Sequence, residues 1–274
     1  LVTEGCRGDG GTLLDVNEER FMDKYEPEKA ELASRDVVSR WMTHHIRKGL
    51  GVKSPYGDHL WLDIRHLGAQ HIKTKLREVE EICNNFLGVD PITQLIPVRP
   101  AQHYTMAGVR TNKDGAVYGL KGLFSAGEAA CWDMHGFNRL GGNSLAETIV
   151  AGKIVGEKVA EFLKGYEVKF DTAVTRGTLI KEQERIDGLV QCKNGKENVF
   201  AVRNDMQDEL MDRVGIFRNG KDLQTAVDNL QEIYARAQQV GLKSNGIGVN
   251  PELSLALKIK GMVKLSLCAA YAAL

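Results

Sequence analysis

The chain has 274 residues, of which 43% are hydrophobic and 26% are charged, values that are typical of a folded globular protein. Its 36 basic residues balance 36 acidic ones, so the overall charge gives no reason to expect nucleic-acid binding. The length suggests about two domains. The five cysteines are scattered and form no CxxC pair, which argues against a disulfide scaffold or a zinc site, and we predict no metal.

Both ends of the sequence look interrupted. Leu1 is not a methionine, and no signal peptide follows it. The longest nearly apolar run, residues 265–274, is too short to cross a bilayer. We therefore expect the sequence to be an internal piece of a longer protein, in which absent motifs carry little weight.

The first hundred residues mix loops, strands and helices. The glycines between Gly5 and Gly11 predict a loop. Ser34 is a suitable cap for a helix over residues 35–48. The alternation of apolar and polar residues over 60–65 predicts a half-buried strand, and residues 73–84 predict another helix.

A second unit follows the prolines that end near residue 100. We predict a hairpin around residues 112–115, a buried strand over 123–126, and a helix over 144–164 that follows a glycine-rich loop. Ser144 and Glu147 match a capping box. The predicted buried stripe of this helix consists of Leu145, Ile149, Val155, Val159 and Phe162.

The remainder of the chain is predicted to be mainly helical. Apolar residues recur there at helical spacing, which favours a small bundle. The predicted apolar faces are Leu179, Ile180, Ile186 and Leu189, then Met206, Leu210, Met211 and Val214, and then Leu223, Val227, Leu230, Tyr234 and Ala237.

Two sites in the first hundred residues have side chains suited to proton transfer. Glu4 and Arg7 lie in the glycine-rich segment and can exchange a proton through a hydrogen bond; the alternative is a surface turn with a local ion pair. Arg35 lies in the first turn of a predicted helix, where the helix dipole disfavours a cation. Such a local conflict is expected at functional sites, although an exposed arginine beside Asp36 is the simpler reading.

Two further sites lie between residues 99 and 145. His103 and Tyr104 can place an imidazole against a ligand, although a lone histidine is more often structural. Glu128 follows a predicted strand, where a carboxylate can accept bonds from ribose hydroxyls. The loop after it contains Arg139, whose guanidinium suits a carboxylate, and runs into a helix start that suits an anion. Ordinary turn residues are the alternative for Asn138 and Asn143.

Taken together, these segments resemble the flavoprotein subunit of fumarate reductase and succinate dehydrogenase. Residues 3–11 are similar to the TEGxRGEGG segment of that family, residues 34–36 to its [PS]RD, and residues 62–68 to its LDLRHLG. Residues 103–108 are similar to HYTMGG, and residues 127–145 to GE…HGxNRLGxNSL. The resemblance is strongest to the quinol:fumarate reductases of epsilon-class proteobacteria.

The resemblance implies an α/β plus α fold. Residues 1–101 would be the C-terminal part of an α+β capping domain, and residues 102–164 the C-terminal part of a Rossmann-like FAD-binding domain. Residues 165–274 would be a C-terminal helical bundle. Ala107 stands where the family has glycine, which puts the backbone there in doubt.

The resemblance also implies catalytic and substrate-binding roles. Arg35 matches the proton donor, and Glu4 with Arg7 matches the relay that reloads it. The residues matched to dicarboxylate binding are Thr3, His103 and Arg139.

The implied cofactor is FAD. Glu128 matches its ribose ligand, and three residues match the helix start beneath the pyrimidine edge of the flavin. The full set matched to FAD contact is His103, Tyr104, Glu128, Arg139, Asn143, Ser144 and Leu145.

The function implied is FAD-dependent reduction of fumarate to succinate, coupled to quinol oxidation in anaerobic respiration. The implied partners are an iron–sulfur subunit and a membrane-anchored cytochrome b subunit, with the flavoprotein bound peripherally to the cytoplasmic side of the inner membrane. The flavin-attaching histidine and GxGxxG motif of the family would precede Leu1, so the isolated piece is expected to be inactive. The alternatives are succinate dehydrogenase, L-aspartate oxidase, and a non-catalytic structural module.

Overall fold

The computed structural model describes residues 2–136, 138–167, 171–192, 195–244, 246 and 248–274. Its chain divides into two compact units, Leu1–Val168 and Lys169–Leu274. Within the described residues, no helix combines the length and the apolar character that a membrane span requires.

The strands of the first unit form two small sheets. β1 (Thr12–Leu14), β2 (Leu60–Asp63) and β3 (Ile96–Val98) are antiparallel and lie in the order β1-β2-β3. β4 (Val109–Arg110) pairs in parallel with β5 (Ala130–Cys131). The second pairing brings the segment after residue 103 beside the segment after residue 127, although the two are distant in sequence.

Six α-helices connect and flank these strands within the described residues of the first unit. They are α1 (Gly5–Gly8), α2 (Met22–Tyr25), α3 (Arg35–His45), α4 (Ala69–Lys75), α5 (Arg77–Ile82) and α6 (Asn143–Lys164). Wide π-helical turns extend α3 over Ile46–Leu50 and α5 over Cys83–Leu87. Short 3-10 turns occupy Ala30–Leu32, Arg65–Leu67 and Gly127–Ala129.

The three-stranded sheet lies at the core of the first unit. β2 alternates as predicted: Leu60 and Leu62 are buried, whereas Trp61 and Asp63 are half-buried. The buried face packs against side chains from the surrounding helices and loops, since only a packed apolar face stabilises so short a sheet. The largest buried partners are Phe21, Met22, Ile64, Ile72 and Ile96.

Three predicted elements of the first unit are different in the structure. Residues 5–8 form one helical turn rather than a loop. The helix predicted over 73–84 is two helices that start at Ala69 and break at Leu76, whose φ of −120° is not helical and whose side chain is buried. Residues 123–126 are not a buried strand: Phe124 forms one isolated bridge to Ala116, and Leu123 is exposed. A short apolar run becomes a strand only where neighbouring strands supply hydrogen bonds.

The predicted hairpin is reduced to a tight turn. Thr111 and Val117 form a single antiparallel bridge, and the Asn112 side chain accepts hydrogen bonds from the amides of Asp114 and Ala116. β4, which immediately precedes this turn, forms its regular strand pairing with β5.

The second unit is helical, as predicted. Its helices are α7 (Thr172–Gln191), α8 (Val199–Glu209), α9 (Gly220–Ala237) and α10 (Pro251–Ala273), with a π-helical turn at Leu210–Val214. Each α-helix begins with a side-chain cap, which satisfies backbone amides that have no partner inside the helix. The capping residues are Asp171, Asn198, Asn219 and Asn250.

Two of the three predicted apolar faces form the core of this unit. Met206 and Val214 are buried, and so are Leu223, Val227 and Leu230 of α9. The face predicted on α7 is wrong at its first half, because Leu179 and Ile180 are exposed. Leu189, near the end of α7, packs against the core.

The core of the second unit provides a test of stability. Leu230 is 0% exposed, whereas Leu179 is 68% exposed. We expect Leu230→Ala to lower the free energy of unfolding by about 2–5 kcal/mol, because it loses buried area and leaves a cavity. The matched control, Leu179→Ala, should change it by roughly 0.5 kcal/mol or less. Denaturant titration of the whole chain measures both, and equal effects would contradict this packing.

The cysteines should differ sharply in reactivity. Burial raises the pKa of the Cys6 thiol to about 11. Burial also raises the pKa of Cys83, whereas Cys192 and Cys268 are exposed. Because the thiolate is the reactive form, iodoacetamide at about pH 8 should label the two exposed cysteines first. Mass spectrometry of the alkylated peptides measures this order, with urea-unfolded protein as the control. Comparable labelling of Cys6 in the folded protein would contradict it.

Candidate functional site

The glycine-rich turn places Glu4 and Arg7 on one side of α1. The Thr3 hydroxyl accepts a hydrogen bond from the Gly5 amide at 3.2 Å. Glu4 immediately precedes the helix, so Arg7 lies three residues on, and the carboxylate and guanidinium are 4.0 Å apart. The ion pair of the alternative reading is therefore present, and at this distance the two groups form no hydrogen bond.

Arg7 joins this turn to the segment before α3. Its Nη1 donates to the carbonyl oxygen of Glu31, and also to that of Ala33 at 3.2 Å. Burial lowers the pKa of Arg7, and the positive charge of Arg35 lowers it further, against the opposing effect of Glu4 and Glu31. The turn is thus held beside the start of α3, and the two arginines lie close enough to repel each other.

Arg35 is the first residue of α3, as predicted, and it is half-buried. Ser34 occupies the N-cap position, but its hydroxyl donates to Asp36 at 2.6 Å and does not cap the helix. Asp36 also pairs with Arg40 at 3.0 Å. Asp36 is therefore engaged by other residues, and Arg35 forms no ion pair within the ranges that the structure describes. The simpler reading, an exposed arginine beside Asp36, fits only in part, because Arg35 is half-buried.

Glu4 also reaches the glycine-rich loop before α6. A Cβ added at Gly141 would lie 2.4 Å from Glu4 Oε1, so the carboxylate lies directly against the loop backbone. A larger side chain at Gly141 would displace the Glu4 carboxylate from this position. The contact brings the N-terminal turn next to the loop that contains Arg139.

Arg139 is a buried cation that has no acidic partner in the part of the chain that the structure describes. Its side chain is 5% exposed, and its guanidinium lies over the Tyr104 ring at 4.5 Å. Its Nη1 donates to the Leu140 carbonyl oxygen at 2.9 Å, whereas its Nε is buried and has no partner among the described residues. A buried donor without an acceptor is costly, so this geometry suits a site that receives an anionic ligand.

Glu128 and the segment after residue 103 meet through the β4–β5 pairing. Glu128 is exposed, and its Oε1 accepts a hydrogen bond from the Thr105 amide at 2.9 Å. His103 is exposed, one residue before Tyr104. The backbones are packed closely here, since a Cβ at Gly108 would lie 2.4 Å from the Ala129 carbonyl oxygen.

The backbone at Ala107 is not strained. The residues other than glycine that have positive φ among those described are Glu18, Ala30 and Asp133. The doubt raised by the missing glycine is therefore removed for this structure.

The start of α6 differs from the prediction in two respects. The helix begins at Asn143 with Gly142 before it, and no side chain caps it. The predicted capping box is wrong, because the Glu147 carboxylate forms hydrogen bonds with side chains from other segments and not with the start of the helix. The predicted buried stripe is also wrong at Leu145 and Ile149, which are 74% and 73% exposed, while the buried residues of the helix are Glu147 and Ala151.

Glu147 accepts hydrogen bonds from three side chains that sequence reasoning had not connected with it. They come from the Tyr104 hydroxyl, from Trp132 Nε1 at 2.9 Å and from His135 Nε2 at 2.8 Å. Burial opposes its ionisation, but these bonds outweigh that effect and lower its pKa. Burial and the bond to Glu147 raise the pKa of Tyr104 to about 12. Glu147 and Ala151 are both buried and lie one helical turn apart on α6. This spacing is the sequence signal that could have indicated that Glu147 faces the interior.

The residues fit an FAD at two places. Glu128 is an exposed carboxylate with one oxygen held by a backbone amide, as a ribose ligand would require. The 22-residue helix α6 has an uncapped amino terminus with Leu145 exposed beside it, which suits an electron-rich ring edge. Among the described residues, no cluster of His, Cys, Asp and Glu suits a metal ion.

Known families match both units. An FAD binding domain matches residues 1–145, and the fumarate reductase flavoprotein C-terminal domain matches residues 203–274. The fumarate reductase flavoprotein subunit of Helicobacter pylori 26695 is 46% identical over the whole chain, which spans 42% of that protein. The succinate dehydrogenase flavoprotein subunit of Rickettsia bellii is 36% identical, and the chain spans 47% of it.

The solved structures agree with the sequence matches. A structure of the Escherichia coli quinol:fumarate reductase flavoprotein with a single substitution superposes with a TM-score of 0.85 at 34% identity, covering 99% of this chain and 48% of that one. The chain thus spans about half the length of its relatives. These matches confirm the predicted fold class and indicate FAD as the cofactor. The chain belongs to the flavoprotein subunit family of fumarate reductase and succinate dehydrogenase.

Proposed function

We propose that this chain contributes the substrate site and part of the FAD site of an enzyme that reduces fumarate to succinate, coupled to quinol oxidation. The observation that carries the proposal is Arg139. A buried guanidinium that rests on an aromatic ring and keeps an unpaired Nε has the donors that a carboxylate needs. The names of the matched relatives support the same reaction.

Arg139, His103 and Thr3 bind the dicarboxylate in this proposal. Arg139 supplies a forked pair of donors, which grips a carboxylate more firmly than a point charge does. The same cation stabilises the negative charge that builds up near the carboxylate during reduction. The exposed His103 and the Thr3 hydroxyl complete the polar contacts.

Arg35, Arg7 and Glu4 deliver the proton. FAD, when bound, supplies a hydride equivalent to one alkene carbon of fumarate. Arg35 gives a proton to the other carbon, so that one hydride and one proton convert fumarate to succinate. Arg7 lies close enough to Arg35 for their charges to repel, and Glu4 is 4.0 Å from Arg7. Glu4 and Arg7 then return a proton to Arg35 from solvent.

The FAD contacts are proposed for both ends of the cofactor. Glu128 accepts the ribose hydroxyls, and the start of α6 at Asn143, Ser144 and Leu145 faces the pyrimidine edge of the flavin. His103, Tyr104 and Arg139 line the same region. The uncapped helix start and the exposed Leu145 support this placement.

We propose the domain boundaries at residues 101 and 164. Residues 1–101 belong to the capping domain, residues 102–164 to the FAD-binding domain, and residues 165–274 to the helical domain. Support comes from the separate sheets formed on either side of residue 101 and from the division of the chain after Val168.

The proposed partners are an iron–sulfur subunit and a membrane-anchored cytochrome b subunit. The quinol:fumarate reductases among the solved relatives support such an assembly. The flavoprotein is proposed to bind peripherally at the cytoplasmic face of the inner membrane.

Oxidation of succinate is the second candidate function, because succinate dehydrogenase subunits are also similar along the whole chain. The proposed site residues serve both directions.

Arg35→Lys should abolish fumarate reduction while leaving FAD bound. Lysine keeps the charge but moves the donor away from the position of the guanidinium. The measurement is fumarate-dependent oxidation of a reduced dye by the FAD-loaded holoenzyme, together with its flavin absorbance. Arg40→Lys, on the same helix and half-exposed, is the matched control and should retain activity. Turnover of Arg35→Lys within tenfold of the parent would contradict the assignment.

Glu128 and Ser144 should affect FAD differently. Glu128→Ala should weaken FAD binding, which is measured in a form without a covalent flavin link because such a link would hide the loss.

Ser144→Pro should lower the flavin reduction potential, because it removes a backbone amide that favours the anionic reduced form. Potentiometric titration of the holoenzyme measures the second effect. An unchanged potential in Ser144→Pro would show that the helix start does not face the flavin.

A further inference from the structure

Glu147 lies at the centre of a polar cluster, and the proposed function assigns this carboxylate no role. It is 4% exposed and projects from α6 toward residues of two other segments. The cluster consists of Glu147, Tyr104, Trp132 and His135, with Arg139 stacked on Tyr104.

The bonding pattern and the lowered pKa of Glu147 both favour an ionised carboxylate. A buried carboxylate is stable only when hydrogen bonds replace its hydration, and Glu147 has three donors from side chains. An ionised carboxylate can only accept hydrogen bonds. The Tyr104 hydroxyl and His135 Nε2 must therefore both donate to it, which fixes the orientation of both rings.

Tyr104 links the Glu147 carboxylate to the Arg139 guanidinium. The hydroxyl of Tyr104 donates to Glu147, and the face of its ring supports the Arg139 guanidinium at 4.5 Å. His135 packs edge-on against the same ring, with centroids 5.7 Å apart at 85°. Movement of the Tyr104 ring would therefore move the surface on which Arg139 lies.

This indirect arrangement has a chemical advantage over a direct ion pair. A carboxylate bonded to Arg139 would occupy the donors that a substrate needs. One negative charge placed beyond an aromatic ring compensates the buried cation but leaves Nε unpaired. The structure thus holds a guanidinium in place without using up its binding capacity.

We propose that Glu147 is a positioning residue for Arg139: its carboxylate fixes Tyr104, and Tyr104 holds the guanidinium with donors free for a substrate carboxylate. This inference rests on the proposed function, since it takes the Arg139 ligand to be a dicarboxylate. Glu147 itself contacts neither substrate nor cofactor in this account.

The test compares single and double variants of the FAD-loaded holoenzyme. Malonate, an unreactive dicarboxylate, is titrated against the flavin absorbance spectrum to give its Kd, and kcat and KM are measured for fumarate. Glu147→Gln removes the charge at nearly constant volume, and Tyr104→Phe keeps the ring but removes the hydroxyl. Each should raise the malonate Kd by roughly tenfold, equivalent to about 1.4 kcal/mol, and Glu147→Gln should do so with FAD content unchanged. Tyr104→Phe guards against a failure of Glu147→Gln to fold.

The double variant distinguishes positioning from general destabilisation. If Glu147 acts through Tyr104, Glu147→Gln combined with Tyr104→Phe should weaken malonate binding no more than either change alone. The matched control is Glu157→Gln on the exposed side of α6, where Glu157 pairs with Lys153, and it should bind malonate like the parent.

Three results would overturn the inference. Malonate binding by Glu147→Gln that equals the parent shows that the carboxylate does not position Arg139. Additive losses in the double variant show that it does not act through Tyr104. A parent holoenzyme that neither binds malonate nor reduces fumarate shows that the proposed function is wrong, and the inference is lost with it. An active parent with an unaffected Glu147→Gln variant refutes the inference alone.

Discussion

The bond between Arg7 and the backbone before α3 is the constraint on which the site depends. One guanidinium takes the carbonyl oxygens of Glu31 and Ala33 and so holds α1 beside the first residue of α3. Glu31 is fixed in turn, because its buried carboxylate accepts from Arg20 and from the Leu13 amide in β1. The residues proposed to transfer protons are therefore attached to the sheet and not merely carried on loops. Rigid support of this kind is what a precise reaction geometry requires.

Two buried charged residues, Glu31 and Arg139, are compensated in different ways. Glu31 is neutralised directly by Arg20, an arrangement that stabilises a fixed core contact. Arg139 instead lies over an aromatic ring, with the charge of Glu147 beyond it. Direct pairing is suited to structure, whereas indirect compensation leaves donors available. The contrast supports a binding role for Arg139 and a supporting role for Glu147.

The accuracy of sequence reasoning varied with the range of the interaction involved. The alternation in β2 and the helical period of α9 were predicted correctly, because each reports burial on one face of a single element. The break at Leu76 and the missing strand at 123–126 were not predicted, because backbone geometry there follows tertiary packing. The capping box at Ser144 and Glu147 failed for the same reason: distant donors bind the carboxylate more favourably than the helix start does.

The sequence by itself determined the family and the identity of the candidate site residues, because glycines, arginines and a carboxylate at fixed spacings are local features of the chain. It also determined that Arg35 begins a helix. Only the tertiary structure decided that Glu4 lies against Gly141 and that Arg139 is buried on Tyr104 with no acidic partner among the described residues. Those contacts join segments more than thirty residues apart in the chain, and no local spacing encodes them.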